Sequence, residues 1–212
     1  MTPTTTGKKP RLRIVVLASG AGTLAEAIFR AAGDNYQVVA LVTDTTCPAL
    51  DKATAAAITS TVVPLSDYPD RDTWNTALTR TVSQYQPDIV VSAGFMRILN
   101  ASFLQTFDSR VINTHPALLP AFPGAHAVRD ALHYGVKITG TTVHVVDTGV
   151  DTGPIIAQQA VPVAPDDTES SLHERIKKIE RELIVTVLND NPLAAIAAAL
   201  NTRGDGAPHH NQ

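Results

Sequence analysis

Four short apolar runs punctuate the first half of the chain, at residues 12–18, 38–43, 61–65 and 88–93. They are rich in β-branched residues and apolar on successive positions, which is the pattern of strands buried on both faces. Between them, residues 24–32, 49–58 and 72–85 have helical character, and Gln86-Pro87 closes the last of these stretches. Strands alternating with helices predict an α/β fold with a doubly wound, mostly parallel sheet. After Asn113 the pattern changes. Residues 136–146 and 155–163 alternate like antiparallel strands with no helix between them, so antiparallel strands are added in the C-terminal half. Thr168 or Ser171 can cap a final long helix, with Leu172, Ile176, Ile179, Leu183 and Val187 as its buried stripe.

At 212 residues and 44% hydrophobic content, the chain suits a single domain, placed at 11–200 between an N-terminal tail (1–10) and a polar C-terminal tail (201–212). A net charge of −3 and a pI near 6.1 give no basic footprint, so nucleic acid is not an expected partner. Cys47 is the only cysteine, which excludes an internal disulfide and fits a reducing, cytoplasmic setting. No apolar run approaches the roughly 18 residues of a membrane span, and the N-terminus lacks the apolar segment of a secretory signal. Neither an internal repeat nor a low-complexity linker is present.

The chemistry concentrates between Arg110 and Gly153. Asn113 and His115 end a β-branched run, and side chains two apart in a strand point the same way, so both can face one cleft. Pro116 then stops the ladder. Asp151 follows in the stretch 146–154, where Asp-Thr-Gly-Pro is also good turn chemistry in its own right. An amide can stabilise a developing oxyanion, an imidazole can carry a proton near neutral pH, and a carboxylate can orient that imidazole. Those are the needs of acyl transfer. Farther upstream, the first strand feeds Ser19-Gly20-Ala21-Gly22-Thr23 into a helix, a geometry that binds anions through backbone amides. The spacing Gly20-x-Gly22-x-x-Ala25 with Asp44 after the second strand also satisfies a loose dinucleotide fingerprint, and a plain tight turn explains the glycines equally well.

Block for block, these segments resemble the glycinamide ribonucleotide formyltransferases of purine synthesis. The resemblance runs from about Arg11 to Asp190 and rests on the glycine loop, the Gly94-Phe95-Met96-Arg97 segment, Asn113-x-His115-Pro116 and Asp151-Thr152-Gly153-Pro154. It implies a Rossmann-like formyltransferase fold, 10-formyltetrahydrofolate as co-substrate and no metal. It also implies Asn113, His115 and Asp151 as catalytic residues, with His126 and His144 in support. The ribonucleotide would meet Gly20, Gly22, Thr23, Leu24, Lys177 and Glu180. The folate would meet Arg71, Met96, Arg97, Ile98, Leu99 and Asn113, together with Asp147, Thr148, Gly149, Val150 and Asp151, while Phe95 and Leu99 also read as core. Lys177 and Glu180 fall on the polar face of the last helix, as neighbours three apart.

This chain departs from relatives at Thr23 (serine), Leu24 (asparagine), Thr139 (histidine) and Lys177 (glutamine). A metal centre built from His115, His126, His144 and Asp151 lacks compact ligand spacing. Other users of the same donor, a formyltetrahydrofolate hydrolase or a methionyl-tRNA formyltransferase, share the Asn, His and Asp, but each typically carries a further domain for which the length leaves no room. A dinucleotide-binding Rossmann protein is the other alternative. The expected partners are small molecules, and the expected assembly is a monomer or homodimer.

Overall fold

The computed structural model describes residues 10–204. Its centre is a seven-stranded sheet in the order β3-β2-β1-β4-β5-β6-β7. The strands are β1 (Leu12–Ala18), β2 (Tyr36–Thr43), β3 (Ser60–Val62), β4 (Ile89–Ser92), β5 (Val111–His115), β6 (Ile138–Val145) and β7 (Ile155–Pro162). β1 to β5 pair in parallel, whereas β5–β6 and β6–β7 are antiparallel, as the change of pattern after Asn113 predicts. Winding runs outward from β1 to β3, then restarts on the other side of β1 with β4. That reversal opens a crevice at the carboxyl ends of β1 and β4, where ligands of open α/β sheets bind.

Both faces of the central strands are covered. Ile14, Val16, Val91 and Ile112 pack with α1 (Thr23–Ala31) and α6 (Glu169–Asn189). Val15, Leu17, Val90 and Val111 pack with Trp74 and Leu78 of α3 (Arg71–Ser83) and Phe103 of α4 (Ala101–Thr106). Continuous apolar strands therefore serve two cores, one residue to each side in turn. The face bearing Val111 continues into Asn113 and His115, and the face bearing Ile112 continues into Thr114.

Several boundaries differ from the sequence reading, each for a local reason. α2 (Ala49–Ala55) stops three residues early because Ala57 takes a left-handed conformation (φ 55°), and the Ile58 amide donates to Ala53 O at 2.8 Å. This is a Schellman ending made with alanine, so no glycine announces it. β3 is likewise shorter than predicted. Helices α4, α5 (Ala127–Tyr134) and α7 (Pro192–Gly204) went unpredicted. α4 is only six residues long, and its signal is the Asn100 side chain accepting from Phe103 N. α7 carries residues 201–204, which the sequence reading assigned to a polar tail; residues 1–9 and 205–212 of the two expected tails lie outside the described residues. Among the described residues, no single helix is long and apolar enough to cross a membrane.

The N-terminus of α6 follows expectation. Ser171 N donates to Thr168 Oγ1 at 3.2 Å and Thr168 N donates to Ser171 Oγ at 3.0 Å, closing a reciprocal box. Thr168→Ala should destabilise the fold by about 1 kcal/mol in chemical denaturation; unchanged stability would contradict this role for the cap. The buried stripe of α6 is offset from the predicted one. Leu172, Ile176, Ile184, Val187 and Leu188 are buried, while Ile179 and Leu183 are half-buried. The line from Ile176 to Ile184 passes through Glu180, so a carboxylate occupies the inward face.

Candidate active site

Asn113 and His115 stand at the carboxyl end of β5, and the antiparallel register with β6 puts His144 directly opposite Asn113. Asn113 Nδ2 lies 3.2 Å from His144 Nε2. His144 Nδ1 donates to the Val145 carbonyl at 2.9 Å, and its Nε2 faces both the Asn113 amide and the Asp151 carboxylate. Asn113 therefore uses one amide hydrogen on His144 and keeps the second for the cleft it lines. Both imidazoles are buried, at 3% exposure for His115 and 2% for His144.

Asp151 joins the two. Its Oδ2 is 3.2 Å from His115 Nδ1 and its Oδ1 is 3.6 Å from His144 Nε2. Gly124 N donates to Oδ2 at 2.8 Å. The carboxyl group is held below its ordinary pKa by His144 first, then by the Gly124 amide and the charge of His115, against the opposing effect of burial. His115 Nε2 donates to the Phe122 carbonyl at 2.8 Å, and Nδ1 faces the Asp151 carboxylate. The three residues named from sequence thus form one cluster, with His144 as its fourth member. His126 is not brought in. It precedes α5, is exposed and makes no capping bond.

The loop that delivers Asp151 is internally stapled. Asp147 Oδ1 accepts from Gly149 N at 3.1 Å and from Thr152 Oγ1 at 2.7 Å. Asp151 itself is left-handed (φ 54°), a conformation that Asp tolerates better than most side chains. A Cβ on Gly153 would lie 1.7 Å from the Val145 carbonyl oxygen. Gly153→Ala should therefore displace the Asp151 turn, lowering thermal stability by about 1–3 kcal/mol together with activity. Wild-type melting and turnover would show that the close approach is not required.

Beside the cluster lies a cleft of about 140 Å³ lined by Phe95, Arg97, Ile98, Leu99, Asn113, His144, Val146, Asp147, Gly149, Val150 and Asp151. Most of the segment expected to meet a folate is gathered here. Met96 is 75% exposed and outside the lining, and Thr148 lines a neighbouring cleft with Leu104 and Leu200. Phe95 and Leu99 are buried, in agreement with their reading as core. Arg71 braces the segment, donating to the Ile98 carbonyl at 2.9 Å with its guanidinium 5.6 Å from the Trp74 ring centroid.

The glycine loop leads into α1 with Gly22 left-handed (φ 67°), where a Cβ would lie 2.6 Å from Ala49 Cβ. Only glycine suits that position. Exposed Thr23 opens α1, whose first-turn amides have no intrahelical acceptors. Leu24 is buried in the core at 7% exposure, so its side chain cannot meet a ligand; its backbone alone remains available. Asp44 is 3% exposed and accepts from Arg97 Nε at 2.6 Å. A carboxylate so engaged is unavailable to a ribose hydroxyl, which removes the acidic element of the dinucleotide alternative.

Glu180 corrects the sequence reading. Instead of lying on the polar face beside Lys177, it turns inward and hydrogen-bonds to Thr114, the residue between Asn113 and His115. Burial raises its pKa. Lys177 pairs with Glu174 at 2.9 Å. Among the described residues, no group of three or more His, Cys, Asp or Glu is placed to hold a metal ion.

A formyl transferase family model matches residues 12–188. The phosphoribosylglycinamide formyltransferase of Mycobacterium tuberculosis (strain H37Rv) is 53% identical over 91% of this chain and 86% of its own length. The chain belongs to the phosphoribosylglycinamide formyltransferase family. The Bacillus subtilis member is 36% identical over 92% of this chain and 99% of its own. The crystal structure of glycinamide ribonucleotide transformylase 1 from Symbiobacterium toebii superposes with a TM-score of 0.83 at 36% identity, covering 87% of this chain and 92% of that one. Family membership accounts for the mixed sheet.

Proposed function

We infer that this enzyme transfers the formyl group of 10-formyltetrahydrofolate to the primary amine of 5'-phosphoribosylglycinamide in de novo purine biosynthesis. The observation that carries the reading is the buried Asn113–His115–Asp151–His144 cluster opening on the cleft lined by residues 95–99 and 146–151. The family uses a formyl-folate donor. The formylated end of the folate enters this cleft, flanked by Ile98, Leu99 and Val150. The ribonucleotide phosphate sits on the Gly20–Thr23 loop at the start of α1, and Glu180 receives ribose hydroxyls from the α6 side.

The neutral amine attacks the formyl carbon, forming the new C–N bond as the carbonyl electrons move to oxygen. Asn113's free amide hydrogen stabilises that oxyanion. The ammonium proton leaves through the His115–Asp151 pair and is delivered to N10 of the folate as the C–N10 bond breaks, giving formylglycinamide ribonucleotide and tetrahydrofolate. Asp151 keeps His115 oriented while charge develops. The substrates are small molecules and the setting is cytoplasmic. Folate deformylation followed with and without the ribonucleotide tests the reading: release that depends on the amine supports it, and equal release in water alone would assign a hydrolase.

A further inference from the structure

The Asp44–Arg97 pair has no part in the chemistry above. Asp44 directly follows β2, and its Oδ2 accepts from Arg97 Nε at 2.6 Å across 53 residues of sequence. Its other oxygen, Oδ1, is buried without a hydrogen-bond partner. A carboxylate at 3% exposure with one idle oxygen is an expensive way to hold a loop, since burial penalises a charge that is incompletely paired. Main-chain ties already fix the segment. Met96 N donates to Ser19 Oγ at 2.9 Å, Ile98 O accepts from Arg71 at 2.9 Å, and Asn100 N donates to Asn75 Oδ1 at 3.4 Å. Asp44 differs in kind because it holds a side chain.

The bond uses Nε of Arg97 and leaves its two terminal amino groups free at the rim of the cleft, where the side chain is 38% exposed. We propose that Asp44 is a positioning residue for the formyl donor, orienting Arg97 so that its terminal N–H groups meet the carboxylate-bearing end of a folate. The proposal rests on the folate reading of the cleft. A guanidinium presents a rigid planar fork that matches a carboxylate, and fixing it beforehand removes ordering entropy from the binding step. The carboxylated donor is favoured over the ribonucleotide phosphate because Arg97 lines the cleft with Ile98, Leu99 and Gly149, whereas Thr23 lines a different one with α6.

Asp44→Asn keeps the shape and an acceptor while removing the charge. The variant should raise KM for 10-formyltetrahydrofolate about tenfold, with kcat and the ribonucleotide KM within about twofold of wild type. With 10-formylpteroate, which lacks the glutamate, the two enzymes should have the same donor KM. In an Arg97→Gln background, Asp44→Asn should add nothing, because Asp44 acts through Arg97. Circular dichroism establishes that each variant is folded. An unchanged donor KM, equal rises in both KM values, or additive effects of the two substitutions would overturn the proposal. Wild-type enzyme without amine-dependent formyl transfer would instead overturn the functional reading on which it rests.

Discussion

Asp151→Asn should lower kcat for formyl transfer by about 10³- to 10⁴-fold, the scale seen when the carboxylate orienting a catalytic imidazole is made neutral. The substitution is nearly isosteric, and one amide oxygen can still accept from Gly124 N, so the loop retains its path. What disappears is the negative charge between two buried imidazoles, 3.2 Å from His115 and 3.6 Å from His144. Without it, His115 has no carboxylate with which to share the ammonium proton. The depressed pKa of Asp151 sets a pH signature as well. A folded-state pKa below the unfolded value contributes stability that is complete above the unfolded pKa and fades as pH falls through the folded one. The wild-type contribution from Asp151 should therefore be complete at neutral and mildly acidic pH, decline as pH falls below the ordinary carboxylate range, and be absent from the variant. Steady-state turnover and urea melts across pH 3 to 8 measure both. Near-wild-type turnover in Asp151→Asn would remove the residue from the mechanism.

Asn113→Ala should reduce kcat by about 10²- to 10³-fold, the penalty for losing one oxyanion donor. Its effect on KM should be smaller, because the bond to the oxyanion strengthens only as charge develops on the formyl oxygen. The variant also strips His144 Nε2 of the amide 3.2 Å away, so part of the loss passes through the network around Asp151. His144→Asn separates the contributions. If oxyanion stabilisation dominates, His144→Asn loses less turnover than Asn113→Ala. An Asn113→Ala enzyme with unaltered kcat would contradict the assignment of the oxyanion site.

The parts of the architecture that rest on repeating pattern were legible before any coordinates. β1 is buried on both faces and reads as an unbroken apolar run, and the change to antiparallel pairing after Asn113 is visible as alternation. Features made by one residue's backbone conformation or by packing between distant segments were not. Ala57 ends α2 in a conformation that its side chain does not advertise. Glu180 falls between Ile176 and Ile184 on the inward face of α6, while a straight reading of apolar positions runs through Ile179 and Leu183 instead. Partial burial of a carboxyl group beside Thr114 is a tertiary outcome that periodicity alone cannot distinguish from exposure.

The site divides in the same way. Asn113 and His115 are two apart on a strand, so their shared face is written in the sequence. His144 becomes their neighbour only through the β5–β6 register, and Asp151 only through a loop stapled by Asp147 and Thr152. The Phe122 carbonyl and the Gly124 amide are backbone groups with no side-chain signature. His126 matched a family position yet lies outside the cluster. Asp44 entered as a candidate for ribose and is instead bound to Arg97, a partner that no local pattern around either residue suggests.

The central claim is tested most directly by following the formyl carbon itself. With 10-formyltetrahydrofolate labelled in the formyl group and 5'-phosphoribosylglycinamide as acceptor, the label should appear in the ribonucleotide in a one-to-one ratio with tetrahydrofolate formed, and Asp151→Asn should abolish both together. Label recovered as free formate, at a rate indifferent to the ribonucleotide, would contradict the account.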